Sequence, residues 1–303
     1  MNPKSKIAAV LATVLMMSLS VFAQDDLMKM LDEETSDKNA TEFATATFKT
    51  TRLVNGHSIE NVAAGVLDFR ISHRFGYINS GAYELWGLDN ASMRMGLDYG
   101  ITRRLMIGIG RSTYQKQYDG FAKFKVLRQS SGARAVPVSL SVAGTIMYKS
   151  QKFDDPAREN YQTSNLYYCG QVILARKLTE GISLQIMPTL VHYNLVAAAD
   201  EPNDVLAIGG GGRFKLSKRV SVNIEYYYQL PACQFDGTYN SLSVGFDVET
   251  GGHVFQLYMT NSTGMTERTF ISETTGDFFK GDIHLGFTIS RVFTIRKPQI
   301  EKQ

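Results

Sequence analysis

Apolar and polar residues alternate with a period of two through most of the chain from about residue 65. In Leu67–Ser72 every second residue is apolar, and the residues between are polar or charged. The same alternation recurs in Val220–Tyr228 and Ile283–Ser290. Because successive side chains of a strand point to opposite faces, each of these segments predicts a strand with one apolar and one polar face.

Twelve such strands are predicted. They lie near residues 65-75, 91-100, 104-113, 120-129, 137-148, 165-176, 181-192, 205-216, 220-230, 240-250, 253-262 and 281-291. Short turns such as 101–103 and 217–219 alternate with longer polar loops such as 149–164 and 263–280. Outer-membrane barrels have short periplasmic turns and long extracellular loops. The pattern therefore predicts an all-β fold, an antiparallel up-and-down transmembrane β-barrel of about 12 strands. A soluble protein of two packed sheets is the alternative.

The first residues are typical of a signal peptide. Lys4 and Lys6 precede an apolar run that ends at Val21, and Ala23 completes a small-residue cleavage site. The run of about 15 residues is shorter than the roughly 20 that a membrane-spanning helix needs. We expect export to the outer membrane of a Gram-negative bacterium after cleavage of this peptide.

These patterns divide the chain into four parts: a signal peptide at 1-23, an N-terminal segment at 24-64, the barrel at 65-293 and a C-terminal tail at 294-303. Residues 25–42 are acidic around a few apolar positions, which suggests a short helix. With both ends of the barrel periplasmic, the N-terminal segment begins at the mouth of the lumen. We expect it to plug or gate the lumen; a flexible periplasmic tail or two further strands are the alternatives.

Charge and histidine spacing exclude several classes of function. Without Lys4 and Lys6, 30 of the 32 basic residues remain against 29 acidic ones, so a nucleic-acid partner is not expected. The five histidines lack close metal-ligand spacing, and no cofactor is expected. Gly209–Gly212 is followed by no Lys-Ser/Thr pair; it predicts a strand where bulky lumen residues approach or the sheet bends. The sequence contains no nucleophile-elbow motif G-x-S-x-G, and an enzyme is not expected.

Charged residues on the polar faces are the strongest functional signal. The alternation places thirteen of them in the lumen: Asp68, Arg70, Arg74, Arg94, Asp98, Lys123, Lys125, Arg213, Lys215, Glu225, Asp247, Glu249 and Asp282. One interpretation is a path for a small hydrophilic solute through a monomeric pore in outer-membrane lipid. The other is a salt-bridged plug that fills a closed structural barrel, which would bind a partner through its loops or N-terminal segment.

Cys169 and Cys233 both fall on the extracellular side of this topology. An exported protein meets an oxidising compartment, so the topology allows a disulfide between them. Their Cα atoms would have to lie within about 7 Å of each other.

Five strings in the chain are distinctive: His73-Arg74-Phe75-Gly76, GLDYGITRRLMIGIGRS at 96–112, PTLVHYN at 188–194, TGGHVFQLYMTNS at 250–262 and GDIHLGFTISRVF at 281–293. Together they resemble an uncharacterised outer-membrane β-barrel family of Bacteroidota-type bacteria, a domain of unknown function. The resemblance covers most of residues 43–295. It implies a membrane barrel and no particular activity or site residue.

Overall fold

A computed structural model of the chain describes residues 40–153 and 159–296. The predicted signal peptide, the predicted helix up to residue 39 and residues 297–303 lie outside the described residues. Among the residues that are described, no helix is long and apolar enough to cross a membrane.

The described residues form fourteen strands. These are β1 Thr41–Phe43, β2 Val66–Tyr77, β3 Ala91–Gly100, β4 Leu105–Ser112, β5 Gln117–Leu127, β6 Ser130–Gly132, β7 Ser139–Lys149, β8 Leu166–Lys177, β9 Ile182–Tyr193, β10 Asp204–Lys215, β11 Val220–Gln229, β12 Ser241–Thr250, β13 His253–Thr260 and β14 His284–Thr294. The described residues divide into two compact units, and residues 40–42 and 131–135 belong to the smaller one. The short strands β1 and β6 pair with each other in a two-stranded sheet.

The other twelve strands form a closed antiparallel barrel in the larger unit. Each strand pairs with the barrel strand that precedes it, and β14 closes the barrel by pairing with β2. The prediction of an up-and-down barrel of twelve strands is confirmed, and the alternative of two packed sheets is wrong. β14 begins at His284 rather than near 281, because a short helix at Phe278–Lys280 and a left-handed Gly281 precede it.

Alternation along each strand separates two faces of the wall. On β9, Leu184, Ile186 and Leu190 are exposed on the outside, whereas Gln185 and Thr189 are buried inside. Because large apolar patches are unfavourable in water, a continuous outer band of this kind suits lipid tails.

Two segments that belong to no barrel strand are buried. Residues 47–59 lie between β1 and β2 along the chain and are all buried except Lys49; we call them the N-terminal plug. Residues 261–274 follow β13 and include the short helix α1, Glu267–Ile271; we call them the loop plug. Since the barrel closes without the N-terminal plug, the alternative of two further wall strands is wrong.

Candidate functional site: the plugged lumen

The two plugs enter the lumen from opposite ends. Lys49 of the N-terminal plug forms an ion pair with Glu249 and donates to the carbonyl oxygen of Lys218 over 3.3 Å, both at the end of the barrel that carries the short turns. Just beyond the plug, the Asn61 amide donates to the carbonyl of Arg104 over 2.9 Å at the same end. The loop plug belongs to the long connection between β13 and β14, so it comes from the other end.

The tip of the N-terminal plug is a tight turn that binds a wall carboxylate. The backbone N–H of Leu53 donates to the carbonyl of Gly56 over 2.9 Å and closes the turn. Glu225 of β11 accepts the N–H groups of Val54, Asn55 and Gly56 at 3.3, 3.1 and 3.0 Å. Consecutive N–H groups that converge in this way form an anion-binding concavity. A carboxylate of the wall thus takes the place that an anionic ligand would have.

Cationic side chains of the wall bind plug carbonyls. Lys123 Nζ donates to the carbonyl of Ser58 over 2.8 Å, and Arg213 donates to that of Thr47 over 3.2 Å. Arg74 donates to the carbonyl of Ser262 in the loop plug over 2.7 Å. These charges satisfy backbone groups that would otherwise be buried without a partner, which costs about 1–3 kcal/mol each.

Other inward charges bind polar groups of the wall and of the plug. Arg70 lies 3.3 Å from Asp68 and donates to the Thr51 hydroxyl over 2.8 Å. That hydroxyl donates to Asp98 over 3.1 Å. Across the lumen, Gln256 donates to Asp247 and to the Leu53 carbonyl, both over 2.9 Å. Of these wall charges, Arg70 and Asp68 form an ion pair, whereas Asp98 and Asp247 accept hydrogen bonds from neutral side chains.

A buried ion pair joins the two plugs. Arg52 of the N-terminal plug lies 2.6 Å from Glu267 of the loop plug, and the two side chains are 6% and 1% exposed. His57 Nε2 lies 3.4 Å from the same carboxylate oxygen. Because removal of one partner from a buried pair leaves an uncompensated charge, the pair makes each plug depend on the other.

One side of the lumen is apolar, which the sequence analysis did not anticipate. Phe48, Leu53 and Ile59 of the N-terminal plug share a buried cluster with Phe270 and Ile271 of the loop plug. The wall adds further members from β7 to β11: Ala143, Met147, Tyr167, Cys169, Ile173, Ala175, Met187, Val191, Tyr193, Val205, Ala207 and Tyr227. The sequence did contain a sign of this apolar side. In runs such as Ile146-Met147 and Val172-Ile173-Leu174 consecutive residues are apolar, so apolar side chains point to the inner face as well as to the outer one.

Most of the thirteen residues predicted to line the lumen are buried on the inner face. Nine are at most 5% exposed: Asp68, Arg70, Arg74, Arg94, Asp98, Lys123, Arg213, Glu225 and Asp247. Lys125, Lys215 and Glu249 are half-buried near the short-turn end. Asp119 was missed because the predicted strand began near residue 120, three residues later than the observed β5; Arg94 Nε donates to it over 3.0 Å.

The prediction for Asp282 needs correction. It precedes β14 and lies in the loop, where it accepts the Asn79 amide over 2.6 Å and the N–H of Asp277 over 3.0 Å. The hydrogen bond from the Asp277 backbone, followed by that from Asn79, lowers the pKa of the Asp282 carboxyl. Asp282 is therefore a loop-ordering residue and not part of the lumen wall.

The disulfide that the predicted topology allowed is not formed, since Cys169 and Cys233 are both free thiols. Cys169 lies on the inner face of β8, only 3% exposed within the apolar cluster, whereas Cys233 lies in the loop between β11 and β12. In the part of the chain that is described, no group of three or more His, Cys, Asp or Glu side chains is placed to hold a metal ion.

Comparison of the sequence with models of known protein families shows to which family the chain belongs. Residues 48–293 match the model of a family described as "Membrane bound beta barrel domain (DUF5777)". The chain belongs to this family. The resemblance noted from the sequence is thereby confirmed at the level of an uncharacterised membrane-barrel family. No curated protein matches the chain.

Solved structures that resemble this family member are outer-membrane barrels of low sequence identity. A NanC porin is 9% identical, with 75% of this chain and 98% of that chain covered and a TM-score of 0.48. A KdgM porin is 9% identical, with 75% and 99% covered and a TM-score of 0.45. An outer membrane channel from Pseudomonas putida F1 is 13% identical, with 78% and 98% covered and a TM-score of 0.44.

Proposed function

We propose that the protein is an outer-membrane pore for small hydrophilic solutes, closed in this conformation by the two plugs. The observation that carries the proposal is that chain segments, and not the wall, fill the lumen. Barrels of about eight strands are filled by their own inward side chains, whereas wider barrels leave a lumen. Here twelve strands enclose a lumen that is filled by residues 47–59 and 261–274, whose covalent connection to the wall strands is only through the chain at their ends.

Polar residues would line the lumen if the plugs moved away. Glu225, Lys123 and Arg213 would exchange the plug backbone for water, and Arg70 would exchange the Thr51 hydroxyl for water. Polar groups of this kind suit the interior of an aqueous channel. A hydrogen bond to a charged group contributes about 1.5–3 kcal/mol, and several of these bonds between plug and wall must be lost together when the lumen opens. Opening therefore requires a signal such as solute, partner or voltage.

The outer membrane is the proposed location, because antiparallel barrels with an outward apolar band are typical of it. Cleavage of residues 1–23, a Bacteroidota-type source, a monomeric state and the absence of catalysis and of a cofactor belong to the same proposal. The long connections, such as that between β13 and β14, would face the outside of the cell.

A closed barrel that binds a partner through its loops or N-terminal segment is the second candidate. It is favoured by the apolar cluster, because burial of Leu53, Ile59 and Phe270 against the wall stabilises the plugged state by roughly 1.5–3 kcal/mol for each side chain. A permanently closed barrel would use the plugs as its core.

Deletion of the plugs in planar bilayers separates the two candidates. Three variants, lacking residues 25–60, residues 264–272 or both, are compared with the full mature chain, and heat-modifiable mobility on gels checks that each barrel folds. The pore predicts conductance that rises with each deletion and is largest when both plugs are absent. A folded variant without either plug that conducts no more than the full chain would reject the pore and favour the closed barrel.

A further inference from the structure

A small cavity of about 20 Å³ lies inside the lumen, between the barrel wall and the two plugs. Arg52 of the N-terminal plug, Met265 of the loop plug and Tyr258 of β13 all line it. A cavity of about 10–15 Å³ or more is large enough to hold a water molecule. The cavity therefore has room for one small species, such as a water molecule or a monatomic ion.

The lining of this cavity is strongly basic. No acidic side chain of the described residues lines it, whereas four arginines do: Arg52, Arg70, Arg74 and Arg94. Each of the four is at most 5% exposed. Three of them lie on β2 and β3, and Arg52 comes from the N-terminal plug, so wall and plug direct like charges to one place. Because like charges repel strongly where water is excluded, this arrangement requires counter-charges.

Carboxylates outside the lining supply only part of these counter-charges. Three arginines are paired in this way: Arg52 with Glu267, Arg70 with Asp68 and Arg94 with Asp119. Arg74 differs, because its hydrogen-bond acceptors among the described residues are all neutral: the carbonyl oxygens of Ser262 and Gly264 and the amide oxygen of Asn55. Its guanidinium also lies 5.3 Å from the ring centroid of Tyr258. A buried positive charge thus faces the cavity region without a carboxylate of its own.

Unsatisfied donors belong to the same residues. Nε of Arg70 and Nε of Arg74 are buried and have no hydrogen-bond partner in the described part of the chain. Ser72 lies between them on β2 and also lines the cavity. Its hydroxyl accepts from Thr288 over 2.9 Å, so its own proton remains available for donation. Because buried donors without a partner are costly, an acceptor inside the cavity would stabilise all three residues.

We infer that this cavity binds a single chloride ion. The ion supplies the negative charge that Arg74 lacks, and it accepts hydrogen bonds from donors that have no other acceptor. A water molecule fits the same space, but it leaves the Arg74 charge uncompensated, and a buried charge without a counter-charge is strongly unfavourable. A carboxylate or phosphate ligand needs more space than the cavity offers.

Bound chloride would hold the two plugs and the wall together. The site needs Arg52 from one plug and Met265 from the other, so it is complete only while both plugs lie in the lumen. A ligand that binds one of two states stabilises that state. Chloride at about ten times its dissociation constant should raise the ratio of plugged to displaced molecules roughly ten-fold. An effect on conduction rests on the proposed function, whereas binding and plug protection do not.

Hydrogen exchange of residues 47–59 in the full mature protein tests the inference. The protein is folded into detergent in sodium chloride or in sodium gluconate of equal ionic strength, because gluconate is too large for the cavity. Exchange should be roughly ten-fold slower in chloride at about ten times its dissociation constant. Arg74→Met removes the uncompensated charge and should abolish the difference between the two salts.

Arg213→Met is the matched control. Arg213 is also a wall arginine that binds a carbonyl oxygen of the N-terminal plug, but it does not line the cavity. This variant should exchange faster in both salts and keep the difference between them. If heat-modifiable mobility shows that Arg74→Met does not fold, Ser72→Val takes its place, because it removes a cavity hydroxyl and changes no charge. The chloride effect should shrink in Ser72→Val.

Equal exchange of the unaltered protein in the two salts would overturn the inference. A difference that persists in Arg74→Met, or in Ser72→Val if that variant replaces it, would also overturn it, because general screening of charges would then be its cause. Crystals grown from sodium bromide give a direct measurement: an anomalous peak in the cavity supports the site, and a water molecule there rejects it. Chloride binding to a barrel that never conducts would retain the site and reject the pore.

Discussion

The contact between Gly211 and Leu53 offers a way to loosen the N-terminal plug without altering the outer surface of the barrel. Gly211 lies on the inner face of β10, and a Cβ atom added there would lie 2.0 Å from Leu53 Cδ2. Leu53 is only 1% exposed and has little room to move. The approach of a bulky lumen residue to the glycine run, one of the two alternatives that the sequence analysis gave for this run, occurs here.

Gly211→Ala should therefore shift the plug away from the wall. Overpacking of a well-packed site costs about 1–3 kcal/mol. If this cost falls on the plugged state alone, the ratio of displaced to plugged molecules rises roughly 5- to 150-fold. The strand itself should not suffer, since alanine loses less conformational entropy than glycine on folding.

Gly210→Ala is the matched control, because the neighbouring Cβ atom would meet no atom within 4 Å. Hydrogen exchange of residues 47–59 measures plug protection whether or not the lumen conducts, and open probability in planar bilayers measures the consequence for the pore. Gly211→Ala should accelerate exchange and raise open probability, and Gly210→Ala should do neither. In combination with Leu53→Ala the effect of Gly211→Ala should shrink, because the clashing methyl group is gone.

The reasoning would be refuted if Gly211→Ala and Gly210→Ala exchanged at the same rate in residues 47–59. Faster exchange throughout the strands of Gly211→Ala would also count against it, because the cost would then fall on the wall and not on the plug.

Two further predictions concern the ion pair and the topology. Glu267→Gln should leave Arg52 buried without a counter-charge and destabilise the plugged state by about 3–5 kcal/mol. The double variant Arg52→Leu/Glu267→Leu should recover part of this loss, because no buried charge is left unpaired. Hydrogen exchange of the two plugs checks this, and unchanged protection in Glu267→Gln would contradict it. In a background without Cys169 and Cys233, a cysteine at Phe279 should be labelled on intact cells and one at Lys218 should not, because the long connections are expected outside; the reverse pattern would invert the topology.

The strands could be predicted from the sequence because their signal is local. Alternation in segments such as Val220–Tyr228 depends only on the two faces of the wall, one against lipid and one against the lumen. The prediction began β2 at residue 65 and the structure begins it at Val66, and β11 begins at Val220 in both. The same strands and turns allowed two packed sheets as well, and the pairing of β14 with β2 decides for a closed barrel.

The contents of the lumen could not be predicted in the same way. Glu225 and Lys123 are inward by alternation, but their partners are the backbone groups of residues 54–60, which carry no side-chain signal in the sequence. Asp282 shows the reverse case, since a short helix moves a residue that fits the alternation out of the wall.

The sequence by itself thus determined the wall, its faces and its membrane setting, because each depends on a repeat of two residues along one strand. Only the tertiary structure decided that the lumen is filled, since Arg52 and Glu267 are separated by 215 positions and meet only when both plugs lie inside the barrel. A backbone segment that binds scattered side chains through its N–H and C=O groups leaves no periodic pattern, because every residue other than proline offers the same two groups.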